Sequence, residues 1–162
     1  MTSRAVAIIP ARGGSKRIPR KNVRDFHGQP IIAYSIQAAI RSKLFVKIIV
    51  STDDEEIAEI AKKYGAEVPW IRPEELSDDF TTTQDVIYHA LQRLKESDES
   101  YDYYCTIYAT APLLQPSYLV EGYEKLRNSD AANAFSVTSM PFPIRRTFKI
   151  TEDERCEMFW PE

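Results

Sequence analysis

The chain has 162 residues, 43% of them hydrophobic, enough for one substantial core and too few for two ordinary domains. Its net charge of −3 gives a polyanion such as DNA no general surface to bind, and no apolar run approaches the roughly 20 residues a membrane-spanning helix needs. Met1-Thr2-Ser3-Arg4 leads into a strand-like run with no cleavable apolar segment behind it, and Cys105 and Cys156 lack metal-ligand spacing, so the expected protein is cytoplasmic, with reduced thiols.

Hydrophobic periodicity divides the chain into alternating strands and helices, the pattern of an α/β layer fold around a largely parallel sheet. Ala5-Val6-Ala7-Ile8-Ile9 is a continuous apolar run of strand length, expected to be central and covered on both faces. Pro30 suits a first helical turn, and Ile32, Ile36, Ala39 and Ile40 then recur at helical spacing to about Ser42. Residues 47–51 read as a second buried strand. Ile57, Ile60, Ala61 and Tyr64 mark a second helix closed by Gly65 at C′. Residues 67–70 read as a short third strand, and Arg72-Pro73 turns the chain away. Thr82 or Thr83 caps a helix whose buried face is Ile87, Ala90, Leu91 and Leu94. Residues 102–108 give a fourth strand, Pro116 opens a helix through Leu119, Tyr123 and Leu126, and residues 134–137 offer a fifth strand. From 140 onward, prolines and aromatics imply loops and short strands. Met158-Phe159-Trp160 is apolar enough to need a partner, so 1–162 is expected to be a single domain truncated at its C-terminus.

Over a quarter of the basic residues fall between positions 11 and 25: Arg12, Lys16, Arg17, Arg20, Lys21 and Arg24, opposed only by Asp25. They surround Gly13-Gly14-Ser15 directly after the first strand, and ligands of open α/β sheets bind at the carboxyl ends of strands. Glycines let backbone approach phosphate oxygens, successive N–H groups form an anion nest, and Arg12 and Lys21 add charge, which suits a triphosphate. Neither a P-loop nor a dinucleotide fingerprint is present, and the alternative is a solvated basic turn.

The segment Ile9-Pro10-Ala11-Arg12-Gly13-Gly14-Ser15-Lys16 through Lys21-Asn22 resembles the CTP-binding loop of the acylneuraminate (CMP-nonulosonate) cytidylyltransferases. Ile49-Val50-Ser51-Thr52-Asp53, Ile71-Arg72-Pro73-Glu74-Glu75-Leu76 and Thr110-Ala111-Pro112-Leu113 resemble three further blocks of that family, in order and spacing. The resemblance implies a Rossmann-like three-layer α/β sandwich of the nucleotide-diphospho-sugar transferase type, with a mostly parallel, mixed sheet. It also implies transfer of CMP from CTP to a nine-carbon keto sugar acid, release of pyrophosphate, and a homodimer. Arg12 and Lys21 would then be catalytic, neutralising the triphosphate, and Ala11, Gly13, Gly14, Ser15, Lys16, Asn22, Arg72 and Thr83 would complete the nucleotide site. A loop-to-backbone hydrogen bond is the alternative for Asn22, and a surface ion pair with Glu74 or Glu75 for Arg72.

The family's Mg²⁺ is held by acidic residues on a later strand, and no matching Asp-x-Asp stands before Glu162, so no metal ligand is assigned and the Mg²⁺ ligands are expected beyond the chain end. Asp53 and Asp54 could reach a cation but read more simply as helix caps. His27 and His89 have no partner at metal spacing.

Where sialic acid members carry a glutamine, this chain has Tyr108. Residues 107–112, 136–146 and 158–162 are more similar to pseudaminic acid cytidylyltransferases. Tyr108, Thr110, Phe142 and Arg145, with Arg146 nearby, would then shape the sugar-acid pocket, ordinary packing and surface charge being the alternative for Phe142 and the arginines. N-acetylneuraminate or legionaminate remains the alternative substrate, and a non-catalytic nucleotide-binding fragment the alternative to an enzyme.

Overall fold

The computed structural model describes residues 4–139, 148–152 and 155–158. The apolar run after Arg4 forms strand β1 (Ala5–Pro10), and it is the central strand of a three-stranded sheet in the order β4-β1-β5. It pairs in parallel with β4 (Lys47–Ser51), Ile8 opposite Ile49, and with β5 (Tyr103–Thr106), Ile8 opposite Thr106. Successive side chains of a strand point to opposite faces, so a strand apolar at every position needs cover on both. That cover divides by parity. Ala7 and Ile9 pack with Ile32, Ile36 and Ala39 of helix α1 (Ile31–Ser42) and Ile57 and Ala61 of α2 (Glu55–Lys63). Val6 and Ile8 pack with Ile87, Ala90 and Leu94 of α3 (Thr83–Glu96) on the other face. Helix α4 (Pro116–Arg127) lies beside α1 and sends Leu119 to the first cluster. The result is the expected three-layer α/β sandwich. Among the described residues no helix is long and apolar enough to cross a membrane.

Local signals account for the helix ends. Asp54 caps α2, its side chain accepting from the Ile57 amide, and Gly65 beyond the C-cap takes φ +94°. Thr82 caps α3 in a full capping box with Asp85. Pro30 is the residue before α1, not part of its first turn, because it also closes a two-residue hairpin: β2 (Asp25–Phe26) with β3 (Gln29–Pro30).

Three expected strands differ from the structure. The third, at 67–70, is reduced to isolated bridges from Glu67 to Ile49 and from Ile71 to Thr52, because Pro69 has no N–H to continue a ladder. The fourth is shorter than 102–108. The fifth, at 134–137, is not a strand: Phe135 and Val137 are 79% and 82% exposed, so alternation there leads to no burial. The β2–β3 hairpin was not expected, nor were a 3-10 turn over Lys21–Val23 and another over Glu74–Leu76. Near the end of the chain β6 (Phe148–Ile150) pairs antiparallel with β7 (Cys156–Met158).

Candidate functional site

Because β1, β4 and β5 are parallel, the segments that follow them emerge at one edge of the sheet. The basic loop follows β1, Ser51 to Asp54 end β4, and Ile107 to Thr110 follow β5. The Ala11 amide donates to the Ser51 carbonyl at 2.9 Å, and the Ser35 hydroxyl of α1 donates to the Tyr108 carbonyl at 2.8 Å, fixing two of these exits. Between them lies a cleft of about 280 Å³. Its walls include Ala11, Arg12, Ser15, Lys21 and Asn22 from the loop, Arg72 from the segment between α2 and the 3-10 turn at Glu74–Leu76, Thr83 at the start of α3, and Tyr108 and Thr110 after β5. Nine expected site residues thus meet in one place. The N-terminus of α3, a source of positive potential, borders the same space through Thr81 and Thr83.

Arg72 is the cleft's buried cation, 3% exposed. Its Nε donates to the Ser77 hydroxyl at 3.1 Å, one Nη to the Ser51 carbonyl at 3.2 Å and the other to Asp53 at 3.4 Å. The surface ion pair with Glu74 or Glu75 is therefore not its role. Burial lowers the guanidinium's pKa, and neighbouring Asp53 opposes that. Asn22 lines the cleft and also makes the loop-to-backbone hydrogen bond: its Nδ2 donates to the Arg12 carbonyl at 2.9 Å, bracing the loop from within.

Gly13, Gly14 and Lys16 do not line the cleft. The Gly13 N–H donates to Asp53 at 3.0 Å, and the Ser15 N–H to the Gly13 carbonyl at 2.9 Å, so the loop's first amides hold the loop itself. A Cβ on Gly13 would stand 2.6 Å from an Asp54 carboxylate oxygen, whereas one on Gly14 would meet nothing within 4 Å. Gly13 is needed for a close approach to protein and Gly14 leaves its side of the loop open.

Two residues missed in the sequence meet the loop's cations, Asp78 through its backbone carbonyl and Asp79 through its carboxylate. Arg12 donates to the Asp78 carbonyl at 2.6 Å and pairs with Asp79 at 2.8 Å, while Lys16 also pairs with Asp79. The Lys16 ammonium and then Arg12 hold the Asp79 carboxyl below the ordinary carboxylate range. Asp78 and Asp79 lie 66 and 67 positions beyond Arg12, and a single sequence carries no signal for a pairing at that distance.

Asp54 grips the loop's far end. Arg20, in the left-handed region at φ 55°, donates to both its oxygens at 2.5 and 3.0 Å and also pairs with Glu56. Arg20 first, then the Ile57 amide, hold the Asp54 carboxyl below its ordinary range against the opposing effect of burial. A carboxyl depressed on folding stabilises fully above its unfolded pKa of about 3.9 and loses that contribution as pH falls through the folded value. Urea unfolding should therefore show wild-type and Asp54→Asn proteins diverging at neutral pH and converging below about pH 4. A gap that persists in acid would contradict this.

Among the described residues no three His, Cys, Asp or Glu side chains cluster to hold a metal. Asp53 and Asp54 are committed to Gly13, Arg72 and Arg20, so the donor set a divalent ion needs is not supplied by them. Phe142, Arg145 and Arg146 lie outside the described residues.

Comparison with known proteins agrees with this geometry. Residues 6–155 match the family model described as Cytidylyltransferase. The chain is 46% identical over 154 residues to a pseudaminic acid cytidylyltransferase of Campylobacter jejuni, covering 95% of this chain and 66% of that protein. It is 39% identical over 121 residues to the CMP-N,N'-diacetyllegionaminic acid synthase of Legionella pneumophila, covering 75% of this chain and 52% of that one. The chain thus spans just under two thirds of the length of the first of these and about half of the second. In fold it is similar to a CMP:2-keto-3-deoxy-manno-octonic acid synthetase complexed with CTP, with a TM-score of 0.68 and 23% identity over 80% of this chain and 49% of that one. On these matches the chain belongs to the cytidylyltransferase family.

Proposed function

We propose that the protein transfers CMP from CTP to the anomeric hydroxyl of a nine-carbon keto sugar acid, pseudaminic acid, releasing pyrophosphate. The observation that carries the nucleotide half is the meeting of Arg12, Lys21 and Arg72 in one cleft at the carboxyl ends of three parallel strands. The sugar half is supported by the 46% identity to a protein named for that substrate, and by Tyr108 and Thr110 in the wall of the same cleft.

In such a reaction the sugar hydroxyl attacks the α-phosphorus in line with the departing pyrophosphate, and charge accumulates on phosphate oxygens. The chain's own part is to place those oxygens and neutralise them. Arg12 and Lys21 meet the triphosphate, and Arg72, held by three acceptors, offers a fixed positive charge that needs no rearrangement as the reaction proceeds. Ala11, Ser15 and Thr83 close the nucleotide's surroundings. Mg²⁺ would add charge neutralisation at the phosphates, but the described carboxylates do not fit it and no step here depends on it. We place the protein in the cytoplasm, as a homodimer of the kind its family resemblance implies.

The test uses the full-length protein. CTP is expected to raise its Tm more than ATP or GTP does, and Arg12→Ala to remove the effect. Offered CTP with pseudaminic, legionaminic and N-acetylneuraminic acids, it is expected to release pyrophosphate fastest with the first. Equal Tm shifts with all three nucleotides would defeat the cytidine assignment, and a clear preference for N-acetylneuraminic acid would defeat the sugar assignment.

A further inference from the structure

Asp53 joins the backbone of the basic loop to the Arg72 side chain. One of its carboxylate oxygens accepts from the Gly13 amide at 3.0 Å and from the Arg72 guanidinium at 3.4 Å. The neighbouring acid, Asp54, caps α2 and holds Arg20, so Asp53 is not needed for the helix. Nor does it stand among the residues lining the cleft. It touches the start of the phosphate loop on one side and the buried cation on the other.

We propose that Asp53 is a positioning residue for the nucleotide, setting the loop and the Arg72 guanidinium in register with each other. The proposal rests on the CTP reading of the cleft. A hydrogen bond at Gly13 fixes the loop where it leaves β1, one residue before the Gly14 backbone turns its open side outward. The same oxygen orients one arm of Arg72 and balances its charge before nucleotide binds, so that neither group has to be rebuilt when phosphates arrive. A carboxylate suits this double task because the oxygen that accepts from both donors also carries the charge that balances the guanidinium, whereas an amide oxygen offers acceptors without that charge.

The experiment is calorimetric titration of CTP into the full-length wild-type, Asp53→Ala and Asp53→Asn proteins, with the Tm of each measured without nucleotide. Asp53→Ala is expected to weaken CTP binding about tenfold, and Asp53→Asn, which keeps an acceptor for Gly13 but loses the charge beside Arg72, about threefold. A merely structural role would lower the nucleotide-free Tm and leave the affinity of the folded protein unchanged. If Asp53→Ala does not fold, Asp53→Asn decides alone: wild-type affinity in it overturns the proposal. A wild-type protein with no preference for CTP over ATP overturns the cytidylyltransferase reading itself, whereas a CTP-selective wild type matched by both variants overturns only the role of Asp53.

Discussion

Arg72→Ala should lower the free energy of unfolding by about 3 kcal/mol, since removing one partner of a buried ionic contact leaves the other charge, here Asp53, uncompensated. Arg72 is nearly inaccessible, and its loss takes one hydrogen bond each from the Ser51 carbonyl, the Ser77 hydroxyl and the Asp53 oxygen, which keep the Ala11 amide, the Pro73 carbonyl and the Gly13 amide. The side chain also fills its own volume, so truncation opens space beside the sheet. Asp53 retains some access to water, its side chain being 23% exposed, which keeps the expected loss at the lower end of the range for such pairs. Arg72→Lys separates charge from shape: it keeps the cation but lacks the planar fork that reaches three acceptors in different directions. It should recover part of the stability and little of the CTP binding. Urea titration checks the first expectation, and a loss under about 1 kcal/mol in Arg72→Ala would show that water replaces the guanidinium without cost.

Gly13→Ala should be more harmful than Gly14→Ala, by about 2 kcal/mol in stability and with loss of CTP binding. Neither glycine has positive φ, so conformational freedom does not distinguish them. Space does. The methyl introduced by Gly13→Ala would press on an Asp54 carboxylate that cannot turn aside, because Arg20 holds both its oxygens and the Ile57 amide holds one of them. To make room, the loop must lift away from the end of β4, which breaks the Gly13 to Asp53 hydrogen bond as well. At Gly14 the methyl meets open space, and stability should change by less than about 0.5 kcal/mol. Equal effects at the two positions, measured by the same unfolding titration, would mean that the loop tolerates displacement.

The sheet was legible where side-chain pattern alone decides structure. A strand buried on both faces must be apolar at each position, and residues 5–9 are, while the helices announced themselves by apolar recurrence and by Asp54, Thr82 and Gly65 at their ends. The pattern misled where backbone pairing decides instead. Residues 67–70 have the side chains of a strand, but Pro69 interrupts the hydrogen bonds, and residues 134–137 alternate without facing anything that covers them. The same division applies to the cleft. Charge and glycine content marked the loop, whereas Arg72, Tyr108 and Thr110 were marked only by the resemblance to a known family. Which acid meets which base was not legible, because Asp79 reaches Arg12, and Asp53 reaches Gly13, through the fold and not along the chain.

The contact of Asp79 with Arg12 and Lys16 makes the cleft electrically self-contained: it carries its own counter-ion. On the CTP reading proposed above, an arriving triphosphate exchanges one anion for another at Arg12 and Lys16, in place of a carboxylate that already faces solvent. Fewer dissolved ions are set free than the number of cations in the loop suggests, and affinity falls less steeply with added salt than it would for bare charges. Cellular anions that cannot match the reach of three phosphates gain little by competing, since the tethered carboxylate is always present at high local concentration.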